Sequence, residues 1–319
     1  MRRRHFLGLS IAVGLMAAGL SGCASRPPLR MGIHPWIGYE PLYLAEEFAW
    51  LSESVALVKG ESVADTLARL RAGELDGAAL TLDEVLRARD QGSDLVVVGV
   101  TDVSAGADVL MVRPSIKTLT GLRGQRVAVE LAGVSGVMLL KILERAGLER
   151  GDVTEVNLPV SEHQAAWQRG EVSASVCYEP VASALAAQGG VRLFDSGDIP
   201  ETIFDVLAVT RQVAESSPQA VRGLLEGHFA GLRHLVRNRH DAIYRVAGRQ
   251  NTTPAAIRRA LATVMLPDLA ANQRYLAATG RVEVVARNLA HMMIRAGMLG
   301  QMPDSRPMSD PAFLPRSVG

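Results

Sequence analysis

The sequence predicts an α/β protein of two lobes, each built around its own β-sheet. The chain has 319 residues, and removal of a predicted 22-residue export signal leaves 297, more than one hydrophobic core comfortably serves. Strand patterns alternate with helix patterns up to about residue 216. Residues 73–81 and 170–178 share one pattern, and the strand–turn–helix of residues 29–51 is echoed at 126–146. The repetition indicates two units of similar βαβαβ construction.

The N-terminal segment has the layout of an export signal. Met1–Arg4 is basic, residues 6–20 are apolar, and the segment Leu20–Cys23 follows. The apolar run is shorter than the roughly 20 residues that a membrane-spanning helix needs. The layout resembles a bacterial lipoprotein signal, which implies that residues 1–22 are removed and that Cys23 carries a lipid anchor.

The predicted location is the periplasmic face of the cell envelope, with the protein held there by lipid. Residues 3–7, Arg-Arg-His-Phe-Leu, resemble a twin-arginine export core, although an ordinary basic leader fits the same residues. Residue 24 is alanine and not the aspartate that resembles an inner-membrane retention signal. Both membranes and both export routes therefore stay open.

The first strand–turn–helix unit organises the rest of the chain. Residues 29–33 alternate as a strand does, and the strand must end at His34-Pro35 because proline donates no ladder hydrogen bond. Gly38 is expected to adopt a backbone conformation closed to other residues, and Pro41 suits the first turn of a helix that starts near residue 40. The turn carries Trp36, Tyr39 and Glu40, which suits a ligand crevice at a strand's carboxyl end. The alternative is that the two aromatic rings only cap a core.

The remaining elements follow from the same periodicities. Strands are predicted at 57–59, 77–80, 95–100, 126–130, 153–156, 174–177 and 189–195, with helices at 62–73 and 83–88 and two more ending at 146 and 170. Two apolar runs, 107–112 and 204–209, are predicted to be paired crossings between the lobes.

The predicted domain bounds follow from those crossings. Lobe 1 comprises residues 29–109 and 207–300, and lobe 2 comprises 110–206. Five helices are predicted after residue 217, and they are expected to return to the first lobe. Residues 301–319 contain Pro303, Pro307, Pro311 and Pro315, so this tail is predicted to be non-helical and either loose or laid on the surface.

Composition and motif spacing argue against several classes of protein. A net charge of +1 gives no basic patch for nucleic acid. With Cys23 acylated, Cys177 is the other cysteine and no intrachain disulfide can form. Residues 133–137 lack the final glycine of a nucleophile elbow, and His228, His234 and His240 are spaced six apart, which scatters them around a helix. The sequence therefore predicts a protein that is not an enzyme and holds no metal or cofactor.

Five segments together resemble the nitrate/sulfonate/taurine-type substrate-binding proteins of ABC importers, a group that includes NMT1-like proteins. They are W-I-G-Y-E-P-L-Y-L-A-E-E (36–47), A-G-E-L-D-G-A-A-L-T-L-D-E-V (72–85), D-V-S-A-G-A-D (102–108), V-A-V-E-L-A-G-V-S-G (127–136) and V-C-Y-E-P-V (176–181). The resemblance implies the type II periplasmic-binding-protein fold, with discontinuous lobes joined by two crossings and a C-terminal helical segment. It also implies a ligand held between the lobes at strand carboxyl ends.

Carried over by position, the resemblance implies ligand contacts at the predicted turns: Trp36, Tyr39, Thr81, Asp83, Asp102, Ser104, Ser135, Tyr178 and Glu179. Simple helix capping is the alternative for Asp83 and Ser135. For Asp102 and Asp108 the alternative is a salt bridge or a turn at the lobe boundary.

The charge of the inferred turns departs from the sulfonate and nitrate pattern. The turns contain no lysine or arginine, whereas Glu40, Asp83, Asp102, Glu179 and Asp205 fall in or beside them. Because an anionic ligand would meet desolvated carboxylates there, we expect a neutral or cationic amine or nitrogen heterocycle, such as a pyrimidine. The predicted protein is a monomer that delivers its ligand to an ABC permease and ATPase. The alternative is a ligand-sensing lipoprotein that signals to a membrane sensor without transport.

Overall fold

The computed structural model of the protein describes residues 27–317. The predicted signal and the predicted lipidation site at Cys23 lie outside the described residues. Within 27–317, no helix combines the length and the hydropathy needed to cross a membrane.

The strands of the described chain form two mixed sheets. In chain order they are β1 (Leu29–Ile33), β2 (Val55–Lys59), β3 (Gly77–Thr81), β4 (Leu95–Ser104), β5 (Val109–Val112), β6 (Arg126–Val129), β7 (Thr154–Asn157), β8 (Ala174–Cys177), β9 (Val191–Asp195), β10 (Phe204–Thr210) and β11 (Val264–Met265). The first sheet has the order β11-β4-β10-β3-β1-β2, and the second has the order β7-β6-β8-β5-β9.

The helices of the described chain lie between and after these strands. They are α1 (Glu40–Glu47), α2 (Val63–Arg71), α3 (Leu82–Asp90), α4 (Val134–Ala146), α5 (Val160–Gln168), α6 (Val181–Ala187), α7 (Arg211–Ser216), α8 (Pro218–Arg237), α9 (Arg239–Arg249), α10 (Pro254–Leu261), α11 (Leu269–Tyr275) and α12 (Arg281–Arg295). Helices α8 and α12 bury their apolar faces in the core of the first sheet. An added Cβ at Gly231 of α8 would lie 1.8 Å from the carbonyl oxygen of Pro41, so only glycine lets α8 approach α1 this closely.

The chain passes between the sheets twice, through residues 105–108 and 196–203. The prediction that the runs 107–112 and 204–209 pair as crossings is wrong. β5 pairs with β8 and β9 in the second sheet, whereas β10 pairs with β3 and β4 in the first. A buried central strand and a buried crossing are both apolar runs, so composition alone could not separate them.

The C-terminal segment is docked on the first sheet, so of the two predicted alternatives, a loose tail and a tail laid on the surface, the loose tail is wrong. Ser309 forms a parallel bridge with Val97 of β4, and Met308, Phe313 and Leu314 are buried in the first core. Residues Pro311–Phe313 form one turn of 3-10 helix. The prolines exclude a long helix, but the apolar side chains between them still gain by burial against the sheet.

Candidate functional site

The backbone register of the first sheet brings polar residues of three strands together at one edge. β1, β2 and β3 are parallel, so their carboxyl ends meet at this edge. β10 runs antiparallel to β3 and β4, and Asp205 of β10 lies opposite Thr81 on one side and Asp102 on the other. The turn after β1, with Trp36 and Tyr39, lies at the same edge.

The second sheet faces this edge with the residues that follow β6 and β8. Ser135 of the first turn of α4 and Tyr178 after β8 come from that side. The Trp36 and Tyr178 rings meet edge to face across the boundary, with centroids 5.7 Å apart. A cavity of about 40 Å³, here called the inner pocket, lies between the sheets and is lined among others by Trp36, Tyr39, Thr81, Ser135, Tyr178 and Asp205.

The turn after β1 is shaped by close contact with Asp102. Gly38 lies in a one-turn 3-10 helix, Ile37–Tyr39, and has no positive φ, so the predicted unusual backbone conformation is absent there. An added Cβ at Gly38 would instead lie 1.6 Å from Asp102 Oδ2. Glycine is therefore needed because a buried carboxylate packs directly on the turn. The Nε1–H group of Trp36 donates to the same oxygen at 3.1 Å.

Three buried carboxylates, those of Glu84, Asp108 and Asp205, line the inner pocket, and a fourth, Asp102, packs beside it against Gly38 and Trp36. All four accept hydrogen bonds from uncharged donors. Tyr39 donates to Asp205 (2.6 Å), Ser104 donates to Asp108 (2.7 Å), Trp36 donates to Asp102, and the Thr81 amide donates to Glu84 (2.8 Å). Within residues 27–317 none of these four carboxylates forms an ion pair, and Asp102 Oδ1 is buried without a partner. Such a concentration of unpaired buried acids is costly for folding.

Burial raises the pKa of all four carboxyls. It raises the pKa of Asp102 to about 7, that of Asp108 to about 6 and that of Glu84 to about 8. The pKa of Asp205 also lies well above its usual range, first through burial and then through repulsion from Asp102. At neutral pH the cluster therefore retains protons that a cationic group could replace.

Three of the predicted site residues form hydrogen bonds or an ion pair within the protein, and these contacts explain their positions without a ligand. Asp83 lies 3.5 Å from Arg87 and accepts the Thr81 hydroxyl. The helix is capped by Thr81 and Glu84 and not by Asp83, and Glu84 also lines the pocket. Ser104 Oγ lies 2.7 Å from Ser196 Oγ, so it joins the two crossing segments and does not line the pocket. Ser135 hydrogen-bonds the backbone of Glu130 but also lines the pocket.

Glu40 and Glu179 lie outside the inner pocket and line a second cavity of about 620 Å³, here called the outer chamber. Pro35 and Trp36 are the residues that line both cavities. The Glu40 carboxylate is bonded by Arg249 and by Gln250 (2.6 Å), and Glu179 accepts the Ser183 hydroxyl (2.9 Å). The predicted residues thus divide between two cavities that share Trp36 in their walls, except for Asp83, Asp102 and Ser104, which line neither.

The structure adds residues that the sequence did not indicate. Glu84 and His34 line the inner pocket, and Lys59, Arg249 and Arg259 line the outer chamber. Asp108, for which the sequence left a salt bridge or a turn as the alternative, also lines the inner pocket. Lys59 ends β2 and could have been found, because the carboxyl ends of parallel strands share an edge. The two arginines come from α9 and the helix after it, and no local pattern places those helices at the site. Among the described linings, the inner pocket has no lysine or arginine.

No group of three or more His, Cys, Asp or Glu side chains in residues 27–317 is arranged to hold a metal ion.

Comparison with known proteins gives the same fold and family. The chain is 28% identical over 262 residues to a putative aliphatic sulfonates-binding protein of Escherichia coli, covering 80% of this chain and 82% of that relative. It is 28% identical to the taurine-binding periplasmic protein of E. coli over 57% of this chain, and it spans 59% of that relative's length. The alkanesulfonate-binding protein SsuA from Xanthomonas axonopodis pv. citri, solved bound to MOPS, superposes with a TM-score of 0.74 at 22% identity, covering 90% of this chain and 99% of that one.

These likenesses confirm the predicted two-lobe periplasmic-binding-protein fold and the predicted resemblance. The family model described as NMT1-like matches residues 23–248. The chain therefore belongs to the NMT1-like family.

Proposed function

We propose that this protein is the periplasmic substrate-binding component of an ABC importer, and that it captures an amine or an N–H-donating nitrogen heterocycle in the inner pocket. The observation that carries the ligand class is the group of four buried carboxylates with no basic partner among the described residues. An ammonium or ring N–H would give each oxygen it reaches a charge-assisted hydrogen bond. A sulfonate there would add a negative charge to a desolvated acidic cluster.

The aromatic rings support the same ligand class. Trp36, Tyr39 and Tyr178 line the inner pocket beside the carboxylates. Aromatic faces attract cations and stack on planar heterocycles, so they suit both an amine and a pyrimidine. The family relatives named above point to sulfonates, and the ligand class proposed here departs from them because of the carboxylates.

A second candidate is an anionic ligand held in the outer chamber. Arg259 lines that chamber and, within residues 27–317, has no side-chain hydrogen bond or ion pair. A sulfonate bound there would meet a free guanidinium, and the names of the E. coli relatives favour this ligand.

A thermal-shift screen separates the two candidates. The chain from residue 24 onward would be screened against primary amines, aminopyrimidines, taurine, alkylsulfonates and nitrate. A ligand at one hundred times its Kd stabilises the protein by about 2.7 kcal/mol, which is readily visible. We expect amines or heterocycles among the hits. Stabilisation by sulfonates that is lost in Arg259→Gln, with no response to amines, would establish the second candidate instead.

Capture is proposed to close two lobes about the two segments that join the sheets. The membership of strands in two sheets supports lobes close to 29–109 with 207–300, and 110–206. Small-angle scattering should show compaction when a confirmed ligand saturates the protein. An unchanged radius of gyration at saturation would contradict hinge closure.

The remaining parts of the proposal concern the anchor and the partner. We propose that the mature protein is a monomer held at the periplasmic face by lipid on Cys23. Deletion of residues 1–23 should then move the protein from the membrane pellet to the supernatant, and retention in the pellet after a salt wash would contradict this.

A permease and an ATPase encoded beside this gene would support import, whereas a sensor kinase or cyclase would support the signalling alternative.

A further inference from the structure

The inner pocket is too small to hold a whole organic ligand. Its volume is about 40 Å³, which is close to the space of one or two small groups. Small-molecule sites in proteins usually measure about 300–1,000 Å³. If the ligand's nitrogen lies among the carboxylates, the rest of the ligand must lie elsewhere.

The outer chamber has the size and the position to receive that remainder. It measures about 620 Å³ and meets the inner pocket at Pro35 and Trp36. The Trp36 ring is partly exposed and is held by one hydrogen bond to Asp102 and by edge contact with Tyr178. The ring therefore forms part of the wall that the two cavities share.

Most polar side chains of the outer chamber already have partners. Lys59 pairs with Glu46 at 2.6 Å, Arg249 pairs with Glu40 and Glu47, and Glu179 bonds Ser183. Between them lie the apolar or aromatic surfaces of Trp36, Ile37, Tyr43, Ala107, Ile257 and Ala260. Arg259 and Glu179 have no ion-pair partner among the described residues, but the other charged side chains of the chamber are paired. Apolar wall surfaces between them suit an apolar or aromatic group.

We propose that the outer chamber is the second half of the ligand site and holds the apolar or aromatic body of a molecule whose nitrogen head lies in the inner pocket. This inference rests on the proposed function. It assigns the ligand to the ring-bearing amines and excludes the smallest ones. Trp36 forms the boundary that such a ligand crosses, with its ring against the ligand where head and body join.

Isothermal titration with methylamine and benzylamine tests this assignment. These probes share a primary amine and differ by one ring, so the ratio of the methylamine Kd to the benzylamine Kd measures what the chamber adds. We expect a ratio of at least tenfold in the wild-type protein. In Ala260→Trp, where the new ring fills the chamber, the ratio should fall to within about twofold of unity.

Ala255→Trp is the matched control, because Ala255 is exposed on the same helix and does not line the chamber. It should keep the wild-type ratio. Ala256→Phe fills the chamber from a neighbouring position, so it still tests the assignment if Ala260→Trp does not fold. A melting curve for each variant checks folding.

The outcomes separate the two proposals. If neither amine nor any larger amine binds, the proposed function fails. If amines bind but the wild-type ratio is near unity, the chamber is not part of the ligand site. A high ratio that survives both Ala260→Trp and Ala256→Phe would overturn the assignment in the same way.

Discussion

Carboxylates in two regions of this molecule have opposite surroundings. On the surface, Asp304 accepts hydrogen bonds from Arg306 (2.9 Å) and Arg89 (2.7 Å), and the Arg306 hydrogen bond lowers the pKa of Asp304 to about 2. Around the inner pocket, Asp102 and Asp205 are fully buried beside uncharged donors, and burial raises their pKa values. The same side chain is thus ionised and paired in one region and kept partly protonated in the other.

The difference shows which region of the molecule contains residues that lower the stability of the fold. A surface ion pair contributes little to the stability of the fold, but it does not lower that stability. Unpaired buried carboxylates oppose folding, and a chain with 34 lysines and arginines could have supplied a partner. Residues that weaken the fold in this way are typical of binding sites, where the missing partner arrives with the ligand. Four predictions test this comparison, from the largest expected effect to the smallest.

Removal of one pocket carboxyl should weaken amine binding the most. Asp205→Asn keeps the shape and still accepts the Tyr39 hydroxyl, but its amide cannot take up the negative charge that a bound ammonium would favour. Loss of a buried charged partner costs about 2–5 kcal/mol, so the Kd measured by titration should rise by about 30-fold or more. Asp304→Asn makes the same change at the surface and should leave the Kd unchanged. Equal effects of the two substitutions would break the comparison.

Loss of the Trp36 ring should come next. Trp36→Ala removes a ring that lines both cavities and should weaken binding by about 2–4 kcal/mol, in the range of buried aromatic anchors. The melting temperature without ligand should change by only a few degrees, because the ring is partly exposed. Trp36→Phe keeps an aromatic face but loses the donor to Asp102, so it should retain part of the affinity. A thermal shift by ligand that survives Trp36→Ala would place the ligand elsewhere.

The third prediction concerns the stability of the protein without ligand between pH 6.5 and 8. Burial raises the folded pKa of Asp102 to about 7 and that of Glu84 to about 8, so the folded state binds more protons than the unfolded state and stability falls as pH rises. Burial lowers the pKa of His34, His163 and His228 to about 4 from an unfolded value near 6.5, which makes stability rise with pH until that effect is nearly complete at about pH 7.5. From about pH 7.5 to 8 the carboxylates alone remain, and the melting temperature should fall.

Asp102→Asn is the variant that checks the predicted fall of stability with rising pH. It should raise stability at pH 8 by about 1–3 kcal/mol, or a few degrees, and change it little at pH 5, where the wild-type carboxyl is already protonated. An amine ligand favours the ionised carboxylates, so its binding should release protons and tighten from pH 5.5 to 7.5. A wild-type melting temperature that rises from pH 7.5 to 8 would contradict the buried-acid description.

The sequence predicted the parts of the fold that depend on local pattern. The strand at residues 29–33 and the helix starting at residue 40 follow from alternation, proline and glycine. The rule that strand ends carry ligand crevices predicted Trp36 and Tyr39, and the family resemblance predicted Tyr178; all three line the inner pocket. Contacts between distant segments could not be predicted in this way. Glu40 was predicted as a ligand contact, but Arg249, 209 positions later, bonds its carboxylate. The contact between Met308 and Val97 could not be predicted for the same reason, because only the folded sheet brings these residues together.

The smallest effect should come from the surface pair itself. The Asp304 side chain is 44% exposed, and exposed ion pairs contribute about 0–1 kcal/mol because water and salt screen them. Asp304→Asn should therefore change the free energy of unfolding, measured in urea at pH 7, by less than about 1 kcal/mol, and 1 M salt should remove most of that difference. Because the folded pKa of Asp304 lies near 2, below its usual 3.8, its contribution is present above pH 4 and is lost as pH falls toward 2. The variant and the wild-type protein should thus converge in acid, whereas Asp102→Asn and the wild-type protein diverge in base. A destabilisation of several kcal/mol by Asp304→Asn would mean that the surface ion pairs supply stability that is assigned here to the cores. The contrast between the two regions would then no longer identify the ligand site.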